Sequence, residues 1–191
     1  SLAAQALGYT PAGAPHYGIV AAPQAFNCLP SSAYAVLLHA TSAERKLWAE
    51  GNWIELGRVL AAQSVVSVLP WGDAAERERS VRLAARIPQA VVPDRFELHA
   101  LASLLAGARV VIGTDTGLTH LAGALGLPVW TMLPATPDWR WMRKRADSPW
   151  YPTVKLLRQD TRGDWAPVVE RVARGLEALI ADRSARTRPR A

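Results

Sequence analysis

The chain has 191 residues, half of them hydrophobic, and a net charge of +6 carried mainly by arginine, with lysine only at Lys46, Lys144 and Lys155. That composition suits one globular domain with a sizeable core and excludes a disordered or fibrous protein. A lone cysteine, Cys28, excludes an internal disulfide framework or a Cys-rich zinc site, and no apolar run approaches the ~20 residues of a membrane helix.

Residues 1–33 begin with a helix-like SLAAQALGY and continue as a Pro-, Gly- and Ala-rich stretch without periodicity, which reads as an inter-domain linker or the trailing edge of another domain. From Tyr34 strands and helices alternate. The pattern predicts strand 35–39, helix 51–63, strand 65–69, helix 74–87, strand 90–92 and helix 97–106. Residues 109–113 form a β-branched strand, and Gly113 allows a turn. Leu118, Leu121, Ala122 and Leu125 then give a helix one apolar face, which Gly126 and Pro128 stop. Residues 129–132 resume as strand. A last helix over 166–180 carries Val168, Val169, Val172, Leu176 and Leu179 as a stripe, and 183–191, RSARTRPRA, read as a disordered basic tail. The alternation predicts an α/β three-layer sandwich with a parallel, doubly wound sheet over residues 34–182.

In such a sheet the loops after the strands gather along one edge, where ligands bind. After the first strand, Thr41 and Ser42 supply hydroxyls and Lys46 a point charge suited to phosphate, or simply an exposed lysine. After the second, Asp73 can cap a helix. Glu76 can complement its dipole or accept hydrogen bonds from a ribose diol. The turn from Thr114 to Gly117 opens a helix whose N–H groups favour an anion. Gly117 permits close approach, and His120 shares a face with Thr116. Asp115 can cap that helix or bind a sugar hydroxyl; His120 can also be a satisfied core histidine. No GxGxxG or Walker A segment supports a nicotinamide or P-loop reading, no nucleic-acid motif accompanies the basic charge, and no carboxylate pair has metal-ligand spacing.

LLHATSAERKLWAEGNW, VLPWGDAAERER and VVIGTDTGLTHLAGALGLP, in that order and spacing, resemble the motifs of the ADP-heptose glycosyltransferase family of GT-B fold, in its lipopolysaccharide heptosyltransferase I branch. The similarity covers about residues 1–133. It implies a two-domain inverting glycosyltransferase whose C-terminal, donor-binding half is present here, with the acceptor site and catalytic base in an N-terminal half. Thr41, Ser42 and Lys46 would hold the diphosphate of ADP-heptose or a related nucleotide sugar. Glu76 would hold the ribose, Phe96 would line the adenine pocket, and Asp115, Thr116, Gly117 and His120 would hold the phosphates and sugar. No metal or other cofactor is implied. The acceptor would be a lipid-linked oligosaccharide, and the protein would be cytoplasmic, with peripheral association at the inner membrane. A nucleotide-sugar epimerase and a non-catalytic nucleotide-binding or scaffold module are the competing readings.

Residues 134–158 depart from that pattern and look more like glycosyltransferases fused to tetratricopeptide repeats. Trp139, Trp141, Trp150 and Tyr151 there suit either a sugar or base pocket or the packing of an irregular loop, with Arg140, Arg143 and Lys144 as additional phosphate contacts.

Overall fold

The computed structural model describes residues 6, 8, 13, 15–29, 32–41 and 47–187, and side chains only as far as residue 179 in the last helix. Ser42 and Lys46 lie outside the described residues.

Among the described residues the elements run β1 (Tyr34–Leu38), α1 (Glu50–Ala62), β2 (Val66–Val68), α2 (Ala74–Ala84), α3 (Leu98–Gly107), β3 (Val110–Gly113), α4 (Gly117–Ala124), β4 (Val129–Leu133), a 3-10 turn (Trp139–Trp141), β5 (Val154–Arg158) and α5 (Ala166–Thr187). The five strands form one parallel sheet in the order β2-β1-β3-β4-β5. Strand β1 is buried along its whole length, as a central parallel strand covered on both faces must be. Its alternation sorts the core into two. Ala35 and Leu37 join Trp53, Leu56 and Leu60 of α1 and Val168, Val172 and Leu176 of α5 on one face. Tyr34, Val36 and Leu38 join Leu104 and Leu105 of α3 and Ala122 of α4 on the other. The predicted three layers are therefore present.

Local chemistry places the ends of α4. Gly126, at φ 71°, takes the left-handed conformation, the Gly126 N–H bonds the Gly123 carbonyl, and the Leu127 N–H bonds the Ala122 carbonyl. This is a glycine-terminated helix end that stops α4 where the sequence predicted. At the other end Gly113 is confined. A Cβ there would lie 2.9 Å from both Leu38 Cβ and Thr119 Oγ1, so only glycine lets β3 meet β1 and α4 this closely.

Three readings need correction. The predicted strand 90–92 is reduced to a single parallel bridge between Val91 and Val68, because Pro93 follows at once and supplies no N–H to extend a ladder. Strand β5 is absent from the predicted elements: the exposed Lys155, its second residue, breaks the apolar run. Its outer edge is covered by the preceding segment, where the Leu156 N–H bonds the Ala146 carbonyl at 2.7 Å and Asp147 bridges Lys155. Finally, α5 runs to Thr187, seven residues beyond the predicted end at 180, so helix enters the stretch read as a disordered tail.

Residues 15–29 carry no helix or strand, in keeping with a linker, but they are pinned at two points. The Tyr17 hydroxyl donates to the Trp150 carbonyl at 2.8 Å, and Phe26 packs on Phe96 with ring centroids 4.7 Å apart.

Candidate functional site

Strands β1 and β3 are neighbours, yet the chain leaves β1 toward β2 and leaves β3 toward β4. Their carboxyl ends therefore flank a topological switch point, the crevice where open α/β sheets bind ligands. Thr41 follows β1 and Thr114 to Gly117 follow β3, so the structure brings these predicted residues to one crevice.

Helix α4 points its N-terminus there. Thr116 is the N-cap in extended conformation, and its side chain makes no capping bond. The first N–H groups of the helix have no intrahelical partner, which leaves donors for an anion. Gly117 is exposed, with open space where a Cβ would stand, so the backbone is accessible to a ligand.

Asp115 and His120 are joined. His120 Nε2 lies 3.2 Å from Asp115 Oδ1, and Nδ1 lies 3.0 Å from the Tyr151 hydroxyl. A carboxylate only accepts, so Nε2 carries the hydrogen when the ring is neutral, and Nδ1 then accepts from Tyr151. The imidazole also stacks on Trp141, at 5.2 Å and 16° between planes. Tyr151 is set by Gly123 of α4, where a Cβ would lie 2.7 Å from Tyr151 Cγ. Burial raises the Tyr151 phenol above its ordinary value, with Tyr17 alongside, so it stays a donor. The 134–158 segment thus contributes half of His120's surroundings, which motif spacing could not reveal.

The Trp-rich segment divides between its two readings. Trp141 is fully buried and packs against His120, whereas Trp139 is 80% exposed. Arg140 is paired with Asp138 at 3.0 Å. The Arg140 N–H and guanidinium hold the Asp138 carboxyl below the usual carboxylate range.

On the β2 side, Glu76 is partly committed. Its Oε2 accepts from the Gly72 N–H at 2.7 Å and its own N–H donates to Asp73 Oδ1 at 2.8 Å, a reciprocal cap of α2. The dipole-capping role is therefore filled, while one carboxylate oxygen lies outside that cap. Phe96 is half-buried against Phe26. Glu76 and Asp115 follow strands two apart, roughly 10 Å across the sheet, a span that suits a ribose and its phosphates.

A cleft of about 470 Å³ opens along this same edge, lined by Leu47, Thr114 and Asp115 and by Thr136, Asp138, Trp141, Arg162 and Trp165 among others. Sequence reasoning did not single out Thr136, Arg162 or Trp165, because they come from loops after β4 and β5 and no motif joins them. His39, at the end of β1, is also new. Its Nε2 lies 2.8 Å from Ser80 Oγ, and burial with the Arg79 charge nearby pushes the imidazole down to about 4. It is a neutral, structural histidine. Among the described residues no group of three or more His, Cys, Asp or Glu could hold a metal ion.

The glycosyltransferase family 9 (heptosyltransferase) model matches residues 1–169. Lipopolysaccharide heptosyltransferase 1 of Pseudomonas aeruginosa is 42% identical over 136 residues, covering 71% of this chain and 38% of that protein. The Escherichia coli K12 protein of the same name is 42% identical over 130 residues, covering 66% of this chain and 40% of its own length. Among solved structures, E. coli heptosyltransferase WaaC with ADP superposes with a TM-score of 0.68 at 30% identity, over 92% of this chain and 53% of that one. WaaC with ADP-2-deoxy-2-fluoro heptose gives 0.63 at 29% identity, over 94% and 53%. The chain spans about two-fifths of the curated relatives' length and about half of the solved chains.

Proposed function

Because the chain belongs to glycosyltransferase family 9, we propose that its crevice over β1 and β3 binds ADP-heptose or a related nucleotide sugar, as the donor-binding part of an inverting glycosyltransferase in lipopolysaccharide core assembly. The observation that carries this reading is the Asp115–His120 pair beside the N-terminus of α4, at the switch point of the sheet. The related E. coli WaaC structures hold ADP and ADP-2-deoxy-2-fluoro heptose, which supports the choice of ligand.

In this account the diphosphate lies against the N–H groups at Thr116 and Gly117, near Thr41, and the family resemblance implies Ser42 and Lys46 as further contacts. Glu76 accepts from the ribose and Phe96 lines the base. Asp115 accepts from a sugar hydroxyl, oriented by His120. Inversion proceeds by one displacement: a base takes the acceptor hydroxyl's proton while that oxygen bonds the anomeric carbon, and the nucleoside diphosphate departs with the electron pair. The chain's contribution is to position the donor and stabilise the charge that develops on the leaving phosphate. By the family resemblance the base and the lipid-linked oligosaccharide site belong to an N-terminal half, and the residues of this chain supply donor binding. A cytoplasmic location, peripheral at the inner membrane, follows from such an acceptor.

Calorimetry with ADP, UDP and GDP tests the reading. Preference for ADP supports it. Preference for UDP favours a repeat-fused transferase or an epimerase, and no nucleotide binding favours a scaffold.

A further inference from the structure

Large apolar side chains are well buried through most of this chain, with Trp48, Trp53, Trp130 and Trp141 all at 3% exposure or less. Exposed tryptophans occur in one segment of the described residues. Trp139 is 80% exposed, Met142 42% and Trp150 41%, all within twelve residues of an irregular connection. The Trp150 indole N–H donates to the Arg140 carbonyl at 2.9 Å, which brings Trp150 to the residue next to Trp139 and makes the segment one surface.

The patch is held from behind. The Arg158 guanidinium donates to the carbonyls of Trp141, Met142 and Arg143 at 3.0, 2.8 and 2.7 Å, and to that of Arg145 at 3.3 Å. Met142 is kept at φ 52°, a conformation that side chains other than glycine adopt at a cost. Tyr17 fixes the far end through the Trp150 carbonyl. Four backbone groups gathered on one arginine, around a strained residue, make a loop that presents its outer side chains in one arrangement.

Those outer side chains are also cationic. Arg140 and Arg145 are paired with Asp138 and Asp147, while Arg143 and Lys144 are exposed and in no ion pair among the described residues. Exposed indoles beside unpaired cations match the boundary of an anionic bilayer: the indole seats at headgroup level with its ring in the acyl margin, and the cations meet lipid phosphates. Two unpaired cations are too few to track a nucleic-acid backbone, and the apolar rings would gain nothing beside one.

We propose that residues 139–150 dock the protein on an anionic lipid surface, with Trp139 and Trp150 as the seated rings and Arg143 and Lys144 as the headgroup contacts. No helix among the described residues is long and apolar enough to cross a membrane, so this contact is peripheral. The proposal rests on the peripheral location proposed above and names the surface that makes the contact, and it is independent of donor binding.

Co-sedimentation with vesicles of phosphatidylcholine alone, or mixed with phosphatidylglycerol, tests it. The chain should bind the mixed vesicles, release in high salt, and ignore phosphatidylcholine alone. Arg143→Ala with Lys144→Ala should weaken binding by about fivefold per charge, and Trp139→Ser should weaken it several-fold, with circular dichroism unchanged in both. Equal binding of the two vesicle types, vesicle binding that survives both variants, or preference for duplex DNA over the mixed vesicles would overturn it. ADP calorimetry on the same samples separates this outcome from failure of the donor-binding reading.

Discussion

His120 holds Asp115 across one turn of helix, Nε2 to Oδ1 at 3.2 Å, with its ring stacked on Trp141. Asp115 is only 8% exposed and lines the cleft at the carboxyl edge of the sheet. The N-cap position of α4 belongs to Thr116. The carboxylate is therefore engaged by an imidazole that a second segment of the chain holds in place, an arrangement for fixing the direction in which an acceptor oxygen points.

Asp115→Asn should separate geometry from charge. Asparagine occupies the same volume, so the fold should persist, while affinity for ADP-2-deoxy-2-fluoro heptose should fall by about 1.5–3 kcal/mol, the range for hydrogen bonds to charged groups. Calorimetry with ADP alone should change less. Equal losses for both ligands would assign Asp115 to the nucleotide instead of the sugar.

Tyr151→Phe keeps the ring against Gly123 and removes only the hydroxyl at His120 Nδ1. Nitrogen chemical shifts of the His120 imidazole should report the tautomer with hydrogen on Nε2 in both the wild type and the variant, because Asp115 still accepts that hydrogen. Stability should drop by ~1 kcal/mol, the net worth of one hydrogen bond. A tautomer mixture in the variant would show that the Tyr151 hydroxyl helps to set it.

His39 makes stability depend on pH in a defined window. In the unfolded chain its imidazole titrates near 6.5, and in the folded chain near 4 because burial and Arg79 disfavour the charge. Between those values the unfolded state binds the extra proton, so stability is complete above about 6.5 and falls as pH drops toward 4, by up to about 3 kcal/mol. His39→Gln should flatten that acid limb in melts taken across the window. A limb of equal slope in the variant would place the loss on other groups.

The sheet was legible where the pattern was strong. The β-branched run ending at Gly113, the turn and the apolar face of α4 are consecutive in sequence, and the glycine-terminated end at Gly126 matches the prediction. The crevice followed from topology, since parallel strands put Thr41 and Asp115 on one edge. What sequence could not carry was contact between distant segments. Tyr151 and Trp141 meet His120 only because β5 adds to the sheet, and β5 was hidden by the exposed Lys155 that breaks its apolar run. Asp115's ambiguity was of the same kind: capping and pairing suit one residue type, and the three-dimensional neighbour decides between them. Glu76 shows the converse, for its local cap with Gly72 and Asp73 was legible as a dipole-complementing glutamate.

The central claim is the location of donor binding, and amide chemical shifts of the isotope-labelled chain titrated with ADP test it most directly. Binding in the crevice should move Thr41, Glu76, Thr116, Gly117 and His120 together, saturating with one affinity, while amides at the far end of the sheet near Pro152 and Thr153 stay in place. Saturable shifts confined to residues away from the carboxyl ends of β1 and β3, or no shifts at any ADP concentration, would contradict the account.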